Sequence, residues 1–131
     1  MEKSITIQSK LENICHIEKL VDEISELCKL SSDIYGKILI ATIEAVNNSI
    51  VHGNKYDINK TVQVSVQISQ SEINIYVKDE GVGFKFNDVP DPTKPENLEN
   101  VSGRGVFLMR NLADEILFDN NGSHVQLIFK I

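Results

Sequence analysis

Apolar residues recur along this chain with two periods, and the points where one gives way to the other mark its elements. Ile5 and Ile7 share a face of a short opening strand. Leu11, Ile14, Ile17, Val21, Ile24 and Cys28 then recur at helical spacing, which predicts one amphipathic helix from about Leu11 to Leu30. Ser31, Ser32 and Asp33 supply capping chemistry for a second helix that runs to about His52, where Gly53 and Asn54 stop it. Its apolar residues wrap most of the circumference, so it is expected to be the central helix. Val62, Val64, Val66 and Ile68 alternate with Gln63, Ser65, Gln67 and Ser69, and Ile73 to Asp79 repeats the alternation after a polar turn. Such a pair reads as an antiparallel hairpin with one face covered. Residues 85–102 hold all three prolines and almost no apolar residue. A loop of that length in a small domain is expected to be a functional lid. A shorter helix from about Arg104 to Ala113 follows, then a strand near Glu115 to Asp119, a turn at 120–122, and a last strand ending at Ile131 with Val125, Leu127, Phe129 and Ile131 on one parity.

These elements predict an α+β fold, a two-layer sandwich with a mostly antiparallel sheet and helices on one face. A chain of 131 residues with 41% hydrophobic content holds one core and is too short for two ordinary domains, so residues 1–131 are read as one domain. A formal charge of -6 argues against a nucleic-acid surface and suits protein partners. No apolar run approaches the roughly 20 residues needed to cross a bilayer, and Met1 to Ile7 lacks the apolar stretch of a signal peptide, so a cytoplasmic location away from membranes is expected. Cys15 and Cys28 fall on different faces of one predicted helix, roughly 20 Å apart, and are expected to be reduced and partly buried. His16, His52 and His124 share no ligand spacing with them, which speaks against a transition-metal site.

Chemistry enters where the pattern is broken. The strand that spends its inward parity on Ile73, Ile75 and Val77 spends it next on Asp79, and a carboxylate under a sheet is costly unless something hydrogen-bonds to it. Gly81 and Gly83 follow, leaving room beside the backbone for a flat group. Ser123 falls on the covered parity of the last strand. On the central helix Glu44, Asn48 and His52 recur at a spacing of four, a polar stripe on a helix otherwise too apolar to expose. A solvated helix face reads the same way, and an Asp before Gly is also ordinary turn chemistry; the stripe and the acid gain weight together. Carboxamide and carboxylate on one face suit a divalent ion and a general base. Gly103 and Gly105 stand at the start of a helix, where free backbone amides make an anion site fit for phosphate, although hinges for the preceding loop would read alike. Leu108 occupies the place of a third dinucleotide-fingerprint glycine, and no P-loop Gly-Lys-Ser/Thr follows.

Glu44 to Asn54 (EAVNNSIVHGN), Asp79 to Phe84 (DEGVGF) and Ser102 to Met109 (SGRGVFLM) resemble, in order and spacing, the N, G1 and G2 boxes of the GHKL ATPases. That superfamily includes the ATPase domains of gyrase, heat-shock chaperones, histidine kinases and mismatch-repair proteins. Asn121 to Val125 is similar to its final box, with Ser123 where Thr is usual, so the resemblance covers essentially the whole chain. Small size and the run from Gly103 to Ile116 are most similar to the bacterial anti-sigma factor serine kinases of partner-switching systems. The resemblance implies a Bergerat, or histidine-kinase-like ATPase, fold that binds ATP with Mg2+ beneath a lid at residues 85–102.

By the family's pattern, Asn48 would hold Mg2+, Asp79 would accept from the adenine amino group, and Gly81 and Gly83 would shape the base pocket. Gly103, Arg104, Gly105 and Val106 would line the phosphate end, and Ser123 would support Asp79 and the adenine. Glu44 would be the general base. Sensor histidine kinases usually carry Asn at that position, which makes a detached sensor-kinase domain the weaker alternative. The implied activity is phosphorylation of a serine on an anti-anti-sigma partner by a homodimeric kinase that sequesters a sigma factor. A non-catalytic, nucleotide-sensing binding module is the other reading.

Overall fold

The computed structural model describes residues 1–81, 101–119 and 122–131, the side chains of 101–104 excepted. Gly83, most of the expected lid and Asn121 lie outside the described residues. Strand β1 (Glu2–Gln8) leads through a 3-10 turn (Leu11–Asn13) into α1 (Ile14–Cys28), α2 (Ser32–Asn48) and a π-helical turn (Ser49–Gly53). The hairpin β2 (Thr61–Ile68) and β3 (Glu72–Lys78) follows, then α3 (Val101–Leu112) and the pair β4 (Glu115–Asp119) and β5 (His124–Lys130). The sheet runs β1-β2-β3-β5-β4, every neighbouring pair antiparallel.

Period-two alternation puts Val62, Val64, Val66, Ile73, Ile75, Val77, Val125, Leu127 and Phe129 on the covered face. Ile17, Leu20, Val21 and Ile24 of α1, Ile38, Ala41, Ala45 and Val46 of α2, and Val106 and Met109 of α3 close the core from the other side. Helix α2 contacts α1, α3, β3 and β5, which is the central position its wide apolar face predicts. The Ser31 hydroxyl accepts the Ile34 amide at 3.2 Å and fixes its start.

Several boundaries differ from the periodic reading. α1 opens only at Ile14, leaving Leu11 on the 3-10 turn and exposed, and it closes on Lys29 in the left-handed region at φ 51°. α3 begins at Val101, so residues 101 and 102 are helical rather than part of the loop. Glycines lower intrinsic helicity, and tertiary packing overrides that preference here. Ile131 lies past the end of β5 and is 39% exposed despite its inward parity. Both cysteines are free, and Cys15 is exposed rather than partly buried because it faces away from the Ile17–Val21–Ile24 stripe.

Candidate functional site

Helix α2 does not stop at Asn48 but widens. The Asn54 amide donates to the Ser49 carbonyl at 2.7 Å, five residues back, and the wider turn carries Gly53 against the Asp79 carboxylate. A Cβ on Gly53 would stand 2.5 Å from the Asp79 Cγ, so only glycine permits the approach. Gly81 is equally constrained, since its Cβ would stand 2.5 Å from the Gly53 carbonyl carbon. His52 is exposed, and the polar stripe therefore continues from Glu44 and Asn48 into Gly53 rather than His52. Beyond the turn Lys55 and Tyr56 both take left-handed backbone, at φ 52° and 60°, as the chain reverses toward β2.

Asp79 sits half-buried at the end of β3. Its amide donates to the Ser123 carbonyl at 3.0 Å, which joins the end of β3 to the start of β5, and Ser123 itself is buried. Burial pushes the Asp79 carboxyl above the ordinary aspartate range. Four groups oppose that shift: the Gly81 amide donating to Oδ1 at 2.8 Å, the Ser49 hydroxyl, and the charges of His124 and Lys60. The carboxylate is thus held by donors on two sides while burial raises its demand for a further one.

At the other end of the site, α3 packs closely on α2. A Cβ on Gly105 would lie 3.0 Å from Glu44 Oε2 and 3.1 Å from Asn48 Oδ1, so both side chains converge over one glycine. Gly103 is in the first turn of α3, where amides lack intrahelical partners, whereas Gly105 is in the second, where they are committed to the helix. Gly105 therefore serves close approach and not anion binding through its own amide. Val106 joins the apolar core beside Met109. Between the two ends lies a small pocket whose lining includes Asn48, Ser49, Asp79, Met109, Phe118 and Val125.

Two site residues escaped the sequence reading. Asn54, read as a helix stop, is buried and clamps three segments: its Nδ2 donates to Ser9 Oγ and to the Thr61 carbonyl, each at 2.9 Å, and its Oδ1 accepts the Glu80 amide at 2.8 Å. The Glu80 carboxylate in turn accepts the Thr61 amide at 2.6 Å. Ser49, buried at the end of α2, is the second. Its signal was the adjacency to Asn48 on the rim of a polar stripe. Among the described residues no cluster of His, Cys, Asp and Glu could hold a metal by itself, and no helix is long and apolar enough to cross a membrane.

Residues 7–129 match the family model described as the histidine kinase-like ATPase domain. The chain belongs to that family. An anti-sigma F factor of Geobacillus thermodenitrificans (strain NG80-2) is 34% identical over 121 residues, covering 87% of this chain and 74% of the relative. The anti-sigma F factor of Geobacillus stearothermophilus is similar to the same extent, and that of Bacillus thuringiensis (strain Al Hakam) is 37% identical over 84 residues, covering 61% of this chain. The α+β fold with its five-stranded antiparallel sheet is consistent with the family, and membership in it implies a kinase-like domain that binds ATP.

Proposed function

We propose that this chain is an ATP-dependent anti-sigma factor serine kinase, which phosphorylates an anti-anti-sigma partner and sequesters a sigma factor. Its relatives carry the name anti-sigma F factor, and a small acidic body suits protein partners. Glu44 carries the assignment: its carboxylate, on the central helix, converges with Asn48 over Gly105, which supports reading it as a base rather than as a solvated surface acid.

Asp79 accepts the adenine amino group, with Gly81 and Gly83 leaving room for the ring and Ser123 supporting the acid from β5. Gly103, Arg104, Gly105 and Val106 shape the phosphate end, where the first turn of α3 offers unpaired amides. Asn48 would contribute a neutral oxygen to Mg2+, and the donor set fits: one carboxamide beside a carboxylate would leave the remaining positions to phosphate and water, as this ion prefers. An ion held there would supply neutralisation of phosphate charge. Glu44 takes the proton of the partner's serine hydroxyl as that oxygen bonds to the γ-phosphorus. The bond from phosphorus to the bridging oxygen breaks, ADP departs, and the proton passes to solvent. Residues 1–131 act as one catalytic domain in a cytoplasmic homodimer, with residues 85–102 as its lid.

Titration calorimetry with ATP and Mg2+ tests the pocket, and a phosphorylation time course tests the base. Wild type binds, and Asp79→Asn binds far more weakly or not at all. Glu44→Gln retains MgATP binding and loses phosphoryl transfer by about 10²- to 10⁴-fold. Equal loss of binding in both variants would contradict the division of labour, and binding without transfer to any serine-bearing partner would favour a nucleotide-sensing module.

A further inference from the structure

We propose that the face of the sheet turned away from the helices carries a second ligand site, a shallow cleft over β3, β5 and β4 that takes a small amphipathic zwitterion the size of a dipeptide. The inference does not rest on the nucleotide reading, because it draws on the opposite side of the sheet. The cleft lies behind the small pocket beside Asp79, with Val125 bordering both.

The sequence builds the cleft in two rows. Lys78 stands opposite His124 and His124 opposite Asp119, so a cation, an imidazole and a carboxylate cross the three strands in line. Two residues along each strand, Tyr76 stands opposite Gln126 and Gln126 opposite Leu117. All six line one cleft of about 210 Å³. Drug-sized sites occupy roughly 300–1,000 Å³, so this one suits a smaller molecule. Gln126 helps to open it. Its Nε2 donates to Asn74 Oδ1 at 3.0 Å and to the Tyr76 hydroxyl at 3.2 Å, both on β3, which draws the amide away from β4. Leu117 is left 54% exposed, with no apolar side chain directly across from it.

Charge decides the ligand. Lys78 has no ion-pair partner among the described residues and is available to a carboxylate. Asp119 marks the other end of the row, and a carboxylate offers about four acceptor positions, enough to take an ammonium beside other donors. A simple anion would be repelled by Asp119 and a simple cation by Lys78, whereas a zwitterion satisfies both. Neighbouring strands lie about 4.8 Å apart, which separates the two ends of the row by about 10 Å. An extended dipeptide spans about 7 Å, and a hydrogen bond at each end completes the distance. His124 stands midway, where it meets the peptide group of the ligand, and an apolar ligand side chain covers Leu117 and the Tyr76 ring. The terminus of a partner protein carries only one of the two charges and leaves the other unmet.

The test titrates the full isotope-labelled chain with glycyl-leucine and follows its backbone amide shifts by NMR. Saturable shifts are expected at residues 76–78, 117–119 and 124–126. N-acetylglycyl-leucine, glycyl-leucinamide and diglycine lack the ammonium, the carboxylate and the apolar side chain in turn. Each is expected to bind about fivefold more weakly, the worth of one partly exposed contact. Lys78→Met keeps the apolar stem; it weakens glycyl-leucine about fivefold and fails to weaken glycyl-leucinamide. Asp119→Asn weakens glycyl-leucine to a similar degree and fails to weaken the acetylated peptide. Both side chains are exposed, so the fold is retained, and the amide spectra of the free variants verify it. An absence of saturable shifts up to the solubility limit, shifts centred elsewhere, or an affinity unchanged by blocking either end of the peptide overturns the inference.

Discussion

Alternation alone places Asp79 and Ser123 on the covered face, because a strand's facing depends only on counting residues by twos, and both are found inward. Ser49 and Asn54 were not legible in the same way, since what they touch lies on other elements and no local period encodes it. The pH behaviour of Asp79 follows from its surroundings. Its folded pKa is raised above the unfolded value, so the folded state binds more protons than the unfolded one just above the ordinary aspartate range. Stability conferred at low pH is lost as pH rises through that window, and the penalty is fully present at neutral pH. Asp79→Asn, which keeps an acceptor for the Gly81 amide, is therefore expected to raise the melting temperature of the nucleotide-free chain at pH 7, the difference shrinking toward pH 3.5. A constant difference across that range in thermal melts would show that the charge is not its source. Thr42 offers an independent test. Its Oγ1 is buried in α2 without a partner among the described residues. Thr42→Val keeps the shape and the branching, so urea unfolding should show about 1 kcal/mol of added stability. A lowered midpoint would reveal an unseen partner for the hydroxyl.

At the level of elements, capping chemistry and periodicity located every α-helix and strand among the described residues, and errors collected at the ends. The start of α3 was drawn too late because Gly103 and Gly105 weaken the local helical signal. What decides the helix is its packing on α2, where Glu44 and Asn48 converge over Gly105. The π-turn was invisible because it differs from an α-helix only in how its amides are shared. Its consequence is large, since it exchanges His52 for Gly53 at the face of the site. These two features predict opposite trade-offs. Gly105→Ala improves intrinsic helicity by about 1 kcal/mol, and the atoms it meets at 3.0–3.2 Å are the ends of side chains that can shift. The chain should fold at least as stably while phosphoryl transfer falls by tenfold or more, as the proposed base and the proposed metal ligand are displaced. Gly53→Ala puts a Cβ against a carboxylate pinned by two donors, and it is expected to lose stability and nucleotide binding together. Unfolding curves beside turnover for the two variants would distinguish them, and retained turnover in Gly105→Ala would argue against Glu44 and Asn48 working at that spot.

Across the whole molecule the two-layer α+β arrangement was readable because each strand shows one apolar face and each helix one apolar stripe. The sheet order was not, since the β1–β2 and β3–β5 pairings join segments that no turn connects. Those pairings set the site. They place the ends of β3 and β5 side by side in the interior of the sheet, where Asp79 and Ser123 meet beneath α2. The proposed ligand thus touches the end of α2, the end of β3 and the start of α3, three segments distant in sequence, and is bound by the folded state alone. Its binding should stabilise the entire cooperative unit by RT ln(1 + [L]/Kd), about 2.7 kcal/mol at a concentration 100 times Kd. Thermal unfolding with and without MgATP separates this linkage from the apo-state effect of the same acid. Wild type starts the less stable at pH 7 and rises with nucleotide, while Asp79→Asn starts higher and stays where it began, so the two curves cross as ligand is added. A parallel rise in both chains would mean that MgATP stabilises the fold without using Asp79, and the adenine assignment would fall.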